Sequence, residues 1–386
     1  MFFQKLRVPI RLKIFYQISK LFNLKKNTSF KEDIPKDVRE GEEIDLEKLK
    51  KYLSEINFTE NDLSISQFPS GYSNLTYLLK AGEKDFILRR PPFGAKSLKG
   101  GHDMLREYTV QKNLKSQFSL VPDVYHYCDN EGIIGAPFYL MERMQGHIIR
   151  PNLTEENSPG KEEIKKISEQ MIKTLTLLHN VDINDAGLSE LGKIDGYNQR
   201  QVEGWIKRYQ HSKTSEIKNM EFVAKWLHNN IPIESKASII HNDYKYDNII
   251  LDKNNFSNIK AILDWEMATV GDPLLDLGTS LGYWIDKNDL PELKLFQLSA
   301  TTLDGNPNRE EFLHKYLLES GSKINNPVFY YVFGLFKIAV IAQQIYFRYK
   351  KGFTKDRRFK LLGLVVISLS VMARQSIEKN RLSNLF

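Results

Sequence analysis

Hydrophobic positions change rhythm once along this chain of 386 residues. Up to Met141 they form short apolar runs, Leu63 to Phe68, Leu75 to Lys80, Asp85 to Arg90, Val124 to Tyr127 and Phe138 to Met141. Runs of this length, bounded by turn residues, predict strands. Ala81-Gly82-Glu83-Lys84 reads as a hairpin turn, Asn130-Glu131-Gly132 as a second turn, and the Pro/Gly stretch from Pro91 to Gly101 as a loop. Leu46 to Leu53, apolar at 46, 49 and 53, predicts a short helix, and Met104 to Ser116 a longer one. From Glu162 onward helical spacing takes over, at Ile164 to His179, Gln199 to Gln210, Asn219 to Asn230 and in long C-terminal helices, with one β-rich interruption at residues 238 to 264. The pattern divides the chain into a leader and linker (1–43), a small sheet-rich lobe (44–145) and a larger helical lobe (146–386), an α+β organisation without internal repeats.

The longest apolar stretches fall short of a membrane span. Val328 to Ile345 is broken by Lys337, Gln343 and Gln344, and Leu361 to Met372 is too short, since a spanning helix needs roughly 20 apolar residues. Both read as buried helices. The leader is different. Ile14, Phe15, Ile18, Leu21 and Phe22 recur at helical spacing among Arg11, Lys13 and Lys20. Such a basic amphipathic helix suits weak contact of residues 1–28 with an anionic membrane surface; an extra helix packed on the domain and an overextended start site are alternatives. No small-residue cleavage site follows a continuous apolar core, so a secretory signal is not expected.

The net charge of +7 changes meaning once it is located. Of the 55 Lys and Arg, eight precede Glu32, the first acidic residue, which leaves 47 against 48 acids in the body. A near-neutral body does not imply a nucleic-acid-binding surface. The single cysteine, Cys128, excludes an intrachain disulfide and a cysteine-rich metal site, and fits a reducing, cytoplasmic setting. The histidines show no metal-ligand spacing, and neither GxSxG nor P-loop text is present.

The densest chemical signal is His241-Asn242-Asp243-Tyr244-Lys245-Tyr246-Asp247-Asn248, of the form HxDxxxxN, running into apolar Ile249-Ile250-Leu251. Sixteen residues after Asn248, Ala261-Ile262-Leu263 leads into Asp264-Trp265-Glu266. Two short apolar strands thus deliver a carboxylate, an amide five residues later and a second carboxylate to one edge. Phosphoryl transfer needs that set: a carboxylate to accept or orient the proton of the attacking hydroxyl, and hard oxygen ligands to hold magnesium against the triphosphate. Asp243 suits the first role, Asn248 and Asp264 the second. ATP and Mg2+ are the implied cofactors.

With Ile262 to Glu266, Gly271-Asp272-Pro273-Leu274-Leu275-Asp276-Leu277-Gly278, Phe336-Lys337 and Tyr346 to Gly352, the sequence resembles the aminoglycoside phosphotransferase and choline kinase group from roughly Glu42 to Ser376. It is most similar to the kinase-like domains related to those fused to acyl-CoA dehydrogenases in animals. The resemblance implies a protein-kinase-like two-lobe fold, with a small antiparallel-sheet N-lobe and a helical C-lobe. It also implies further roles. Ser70, Gly71, Ser73 and Asn74 would form the loop over the phosphates, with Ser70 where most relatives carry a second glycine. Arg89 would stand where protein kinases place the phosphate-binding Lys, gripping phosphate oxygens in a planar fork, with Glu107 as its ion-pair partner. Arg90, on the other face of the strand, would be solvated. Glu142 and Met144 would belong to the hinge against adenine. Asp272, Asp276 and His241 would brace the catalytic loop, and Asn242 replaces the usual Gly.

The acceptor implied by this resemblance is a hydroxyacyl-CoA. Tyr197, Gln201, Trp205 and Arg208 share one helical stretch that either lines the acceptor pocket or packs. Lys337 and Arg348, in or near apolar helices, either meet CoA phosphates or snorkel to solvent. The rival readings are an aminoglycoside or amino-alcohol kinase, disfavoured by these C-terminal cations, and a catalytically silent nucleotide-binding scaffold, disfavoured by intact Asp243, Asn248 and Asp264.

Overall fold

Five antiparallel strands build the smaller lobe, in the order β1-β2-β3-β5-β4: β1 (Leu63–Gln67), β2 (Leu75–Ala81), β3 (Lys84–Arg90), β4 (Val124–Cys128) and β5 (Phe138–Glu142). The computed structural model describes residues 33–69, 74–92, 103–151, 153, 158–289, 299–354 and 356–386. The leader helix expected before residue 29, and Ser70, Gly71 and Ser73, lie outside the described residues.

The alternation along these strands gives the sheet two apolar faces. Helix α1 (Leu46–Glu55), capped by Asp45, lays Leu49 and Leu53 on the face carrying Tyr77, Leu79, Leu88 and Leu140. Helix α2 (Met104–Leu114), capped by Asp103, covers Leu78, Ile87, Tyr139 and Met141 on the other. The turn expected at Asn130 is a single helical turn, α3 (Glu131–Ile134), closed by Gly135 in the left-handed conformation. Arg90 is not solvated: it is fully buried and donates to the carbonyls of Pro91 and Ile134. With helices on both faces, neither side of the strand faces water, and the Arg finds carbonyl acceptors instead.

The larger lobe is helical, with α4 (Lys161–His179), α5 (Tyr197–Ser212), α6 (Lys218–Asn229), α7 (Pro273–Gly282), α8 (Arg309–Ser320), α9 (Pro327–Lys350) and α10 (Leu362–Lys379) around one continuous core. Two short hairpin-like pairs interrupt it. β6 (Ser238–Ile240) pairs with β9 (Thr269–Gly271), a strand lying beyond the expected β-rich segment, and β7 (Ile249–Leu251) pairs with β8 (Ile259–Ile262).

Two helical stretches, Pro327–Lys350 and Arg358–Lys379, are long and apolar enough to cross a membrane, more than the sequence reading allowed. In the first, 83% of the apolar window is buried, which makes it a core helix. The second packs along α9 on one side and its window is 39% buried.

The closest backbone approach fixes how α7 crosses α9. A Cβ on Gly278 would sit 2.1 Å from the Tyr330 carbonyl oxygen, and one on Gly334 would sit 2.0 Å from the Gly278 carbonyl oxygen. Neither neighbour is a flexible side chain, so the helices must separate. Gly278→Ala is expected to cost about 3 kcal/mol by overpacking, while Gly160→Ala, where the nearest atom is 3.8 Å away, should change stability by less than about 1 kcal/mol. Urea unfolding of both variants measures the difference; equal midpoints would mean that the α7–α9 crossing is adjustable.

Candidate active site

The loop between β6 and β7 carries His241 to Asn248, and its shape is set by one buried carboxylate. Asp276, on α7, accepts from the backbone amides of His241 and Asn242, both at 2.7 Å, and from His179 Nε2 at 3.1 Å. Burial would raise its pKa, but these donors and the nearby imidazoles hold it below the ordinary carboxylate value. Tyr316 completes the chain, 2.7 Å from His179 Nδ1. Asp272, expected as a second brace of this loop, works elsewhere: it caps α7 and holds Ser235 and Asn198.

Two residues of this site leave the usual backbone regions. Asn242 has φ 66° and Asp264 φ 68°, both left-handed. Left-handed backbone at a non-glycine residue is sparsely populated and persists where surroundings over-determine it. For Asn242 the surroundings are Asp276 at its amide, the Met267 carbonyl at its side-chain amide (3.1 Å), and Lys337, whose ammonium donates to its carbonyl (3.0 Å) and Oδ1 (2.9 Å). Lys337 comes from the middle of α9 and is buried, so it does not snorkel. Burial lowers its pKa to about 8 against the attraction of Asp276 and Asp243.

His241 ties the two halves of the site. Its Nε2 lies 2.9 Å from the Leu263 carbonyl and its Nδ1 accepts the Asp243 amide at 3.2 Å. That pairing defines a neutral imidazole protonated on Nε2, in keeping with the downward shift that burial imposes. Leu263 in turn donates its amide to the Asn248 carbonyl at 2.8 Å. Asp264 therefore emerges from a junction already bonded to both ends of the HxDxxxxN segment.

Asp243 is fully engaged. Lys245 Nζ lies 2.9 and 2.8 Å from its two carboxylate oxygens, and Asn248 Nδ2 donates to its Oδ2 and its backbone carbonyl, each at 2.8 Å. Burial would raise the Asp243 pKa, but Lys245 outweighs it and keeps the group ionised. Lys245 also sits 4.7 Å above the Tyr283 ring. Neither Lys245 nor Tyr283 was singled out from sequence. Lys245 lies inside the motif, two residues after Asp243, where extended backbone lets both side chains share a face; nothing in the text around Tyr283 marks it.

The N-lobe contributes Arg89 from β3. Its Nη2 lies 3.1 Å from Glu107 on α2, 2.9 Å from Asp264 and 3.9 Å from Glu266. The pairing of Arg89 with Glu107 expected from sequence is thus present, and Glu266 is an addition. Asn74 is buried and donates to Glu266 Oε2 at 2.8 Å. Three carboxylates around one guanidinium leave local negative charge in excess. Burial pushes Glu107 up, to about 7, with Arg89 opposing and Asp264 adding to the rise. A divalent cation would balance that excess. Among the described residues no group of three or more His, Cys, Asp or Glu is placed to hold a metal ion alone; Asn248 and Asp264 supply hard oxygen donors of the kind that magnesium takes together with phosphate oxygens.

The strand-to-lobe crossing lies at Glu142 to Gln145. Glu142 is committed to Asp123, accepting its amide at 3.2 Å and donating its own at 2.8 Å. Met144 packs with Ile148, Ile250, Ala261 and Leu263 in a small apolar cluster. Ile250 and Ala261 of that cluster come from β7 and β8.

Residues 64–312 match the phosphotransferase enzyme family designated APH. Among characterised sequences, the chain is 33% identical over 343 residues to acyl-CoA dehydrogenase family member 10 of Mus musculus, covering 87% of this chain and 31% of that protein. It is 36% identical over 296 residues to acyl-CoA dehydrogenase family member 11 of Gallus gallus, covering 75% and 37%. The chain thus spans about a third of the length of the curated relatives it matches. Among solved structures, a Ralstonia eutropha protein provisionally named an aminoglycoside phosphotransferase superposes with TM-score 0.74 and 28% identity, covering 87% of this chain and 99% of that one. A thermostable aminoglycoside phosphotransferase APH(4)-Ia, in ternary complex with AMP-PNP and hygromycin B, superposes with TM-score 0.54 at 14% identity, covering 84% and 98%, a likeness of fold. A two-lobe kinase-like fold, an HxDxxxxN loop braced from α7, and a family match over most of its length place this chain in the APH phosphotransferase enzyme family.

Proposed function

We propose that this protein transfers the γ-phosphoryl group of ATP to a hydroxyl of a small acceptor, and that the acceptor is a hydroxyacyl-CoA. The observation that carries the first part is the junction at Leu263, which precedes Asp264 and is bonded to Asp243 through His241 and to the Asn248 carbonyl through its own amide. In this reading the acceptor oxygen attacks the γ-phosphorus, the bond from phosphorus to the β,γ-bridging oxygen breaks, and ADP departs. Asp243, ionised and held by Lys245, orients the hydroxyl and receives its proton. Arg89, anchored by Glu107, offers its planar fork to phosphate oxygens. The Met144 cluster takes the base. Asn248 and Asp264 would hold magnesium, which when bound neutralises the charge of the polyphosphate.

The acceptor rests on different support: the likeness to acyl-CoA dehydrogenase family members 10 and 11, and the cations Arg348, Lys350 and Lys351 at the end of and just after α9. An acidic pocket would suit an aminoglycoside; cations suit an anion.

ADP release with ATP and magnesium, measured against 4- and 3-hydroxyacyl-CoAs, free hydroxy acids, aminoglycosides and choline, tests both parts. Release is expected with a hydroxyacyl-CoA and is expected to fall to background when EDTA removes magnesium. Release with an aminoglycoside or choline alone would overturn the acceptor. ATP binding without release for any acceptor would point to the silent scaffold.

A further inference from the structure

A cavity of about 480 Å³ opens between α5 and α9, away from the phosphate-facing side chains described above. Three Lys and Arg side chains stand in its wall. Lys207, Arg208 and His211 come from α5 and Arg348 from α9, with the Phe347 ring and the bare backbone of Gly204 between them. The volume lies in the range of ligand pockets, roughly 300–1,000 Å³.

Local composition does not explain the cations. The body of the chain carries 47 basic and 48 acidic residues, so clustered Lys and Arg would ordinarily meet carboxylates. Elsewhere they do, as in Lys213 with Glu221, Arg374 with Glu378 and Lys315 with Glu169. Here no carboxylate lines the cavity. Glu203, on the same helix, is held by Gln199. Among the described residues Lys207, Arg208 and Arg348 form no ion pair; Arg208 instead lies 4.7 Å over the Trp205 ring. Like charges gathered without a counter-ion repel one another, and an anion relieves that repulsion.

A relay of side-chain contacts runs from the cavity wall to the catalytic loop. The Trp205 ring that carries Arg208 is shared by Lys337, 5.9 Å from its centroid. Lys337 donates to Asn242, the neighbour of Asp243. One aromatic ring and one lysine therefore separate the charged cavity from the proposed base.

We infer that the cavity between α5 and α9 binds the phosphate-bearing end of the acceptor, with Arg208 and Arg348 as the principal anion contacts and Phe347 as an apolar wall. This rests on the hydroxyacyl-CoA reading above and gives it an address: the phosphates dock between α5 and α9. Two guanidiniums on facing helices can grip separate phosphate oxygens, a geometry that one lysine-rich surface would not provide.

The test is calorimetric titration of the intact chain with coenzyme A, for wild type, Arg208→Ala/Arg348→Ala and Arg208→Lys/Arg348→Lys, with magnesium-ATP titrated beside each as a check on folding. The double alanine variant is expected to bind coenzyme A about 10- to 100-fold more weakly, the loss of one to two charge-assisted contacts. The lysine variant should recover part of that loss, and ATP affinity should hold in both. Raising the salt from 50 to 300 mM should weaken wild-type coenzyme A binding more than that of the alanine variant. Equal coenzyme A affinity in wild type and the alanine variant would overturn the pocket and leave the acceptor reading standing. No coenzyme A binding by the wild type would overturn both, while phosphoryl transfer itself is judged separately through Asp243.

Discussion

Asp243→Asn is expected to lower acceptor-dependent ADP release by about 10³-fold, in the range for removing a positioned general base, with ATP affinity changed little. The substitution keeps the size of the side chain and its contact with Asn248, whose amide donates to Asp243 at 2.8 Å. It removes the negative charge that Lys245 neutralises at 2.9 and 2.8 Å and the carboxylate oxygens assigned to take the proton. Lys245 would be left with a neutral partner and would turn toward phosphate or solvent. ADP release under saturating ATP and acceptor, with a parallel nucleotide titration, separates chemistry from binding. A variant retaining a tenth or more of wild-type turnover would mean that proton transfer runs through another group or to solvent, and that Asp243 only shapes the loop.

Asp276→Ala is expected to be the most damaging single change to the fold near the site, costing about 3–5 kcal/mol. Three buried donors lose their acceptor at once: the amides of His241 and Asn242 and the Nε2 of His179. Each buried donor left unpaired costs about 1–3 kcal/mol, partly offset where water enters. Asn242 would then lose one of the contacts that hold φ at 66°, so turnover should fall with stability. The wild-type carboxylate also sets a pH signature. Its folded pKa lies below the ordinary value, so its contribution is fully present above about pH 4 and is lost as pH falls through the folded value. Asp276→Asn, which can keep some acceptor capacity but cannot titrate, should be less damaging than Ala and should flatten the acid limb of the stability curve. Urea midpoints across pH for wild type and both variants measure this. An Ala variant within about 1 kcal/mol of wild type would mean that the loop is held by Lys337 and His241 without Asp276.

Much of this was legible in the text of the chain. Strand and helix runs are set by local periodicity, which is why β1 to β5 and helices α1, α2 and α4 to α6 fall within a few residues of where the pattern places them. The spacing from Asp243 to Asn248 and on to Asp264 was legible for the same reason: the motif is short, and the apolar runs after Asn248 and before Asp264 are short strands. Arg89 and Glu107 could be paired because resemblance supplied the order of strand and helix.

What the sequence could not supply depends on which surfaces meet. Arg90 alternates with Arg89 along β3, and alternation normally separates a buried face from a wet one. Packing of α1 and α2 on opposite faces removes that distinction and buries both arginines. Lys337 reads as a flaw in an apolar helix until α9 crosses behind the catalytic loop and gives its ammonium two oxygens on Asn242. Glu266 and Tyr283 join the site only because turns and helix crossings carry them there. Sequence marks Arg208 and Arg348 as separate candidates, but their meeting in one cavity between α5 and α9 is invisible in one dimension, because they are 140 positions apart. Local sequence determined the elements and the phosphotransfer motif, since both follow from short-range spacing. The tertiary structure alone decided the partners of the buried charges, because a charge in a protein interior is defined by what the rest of the chain brings against it.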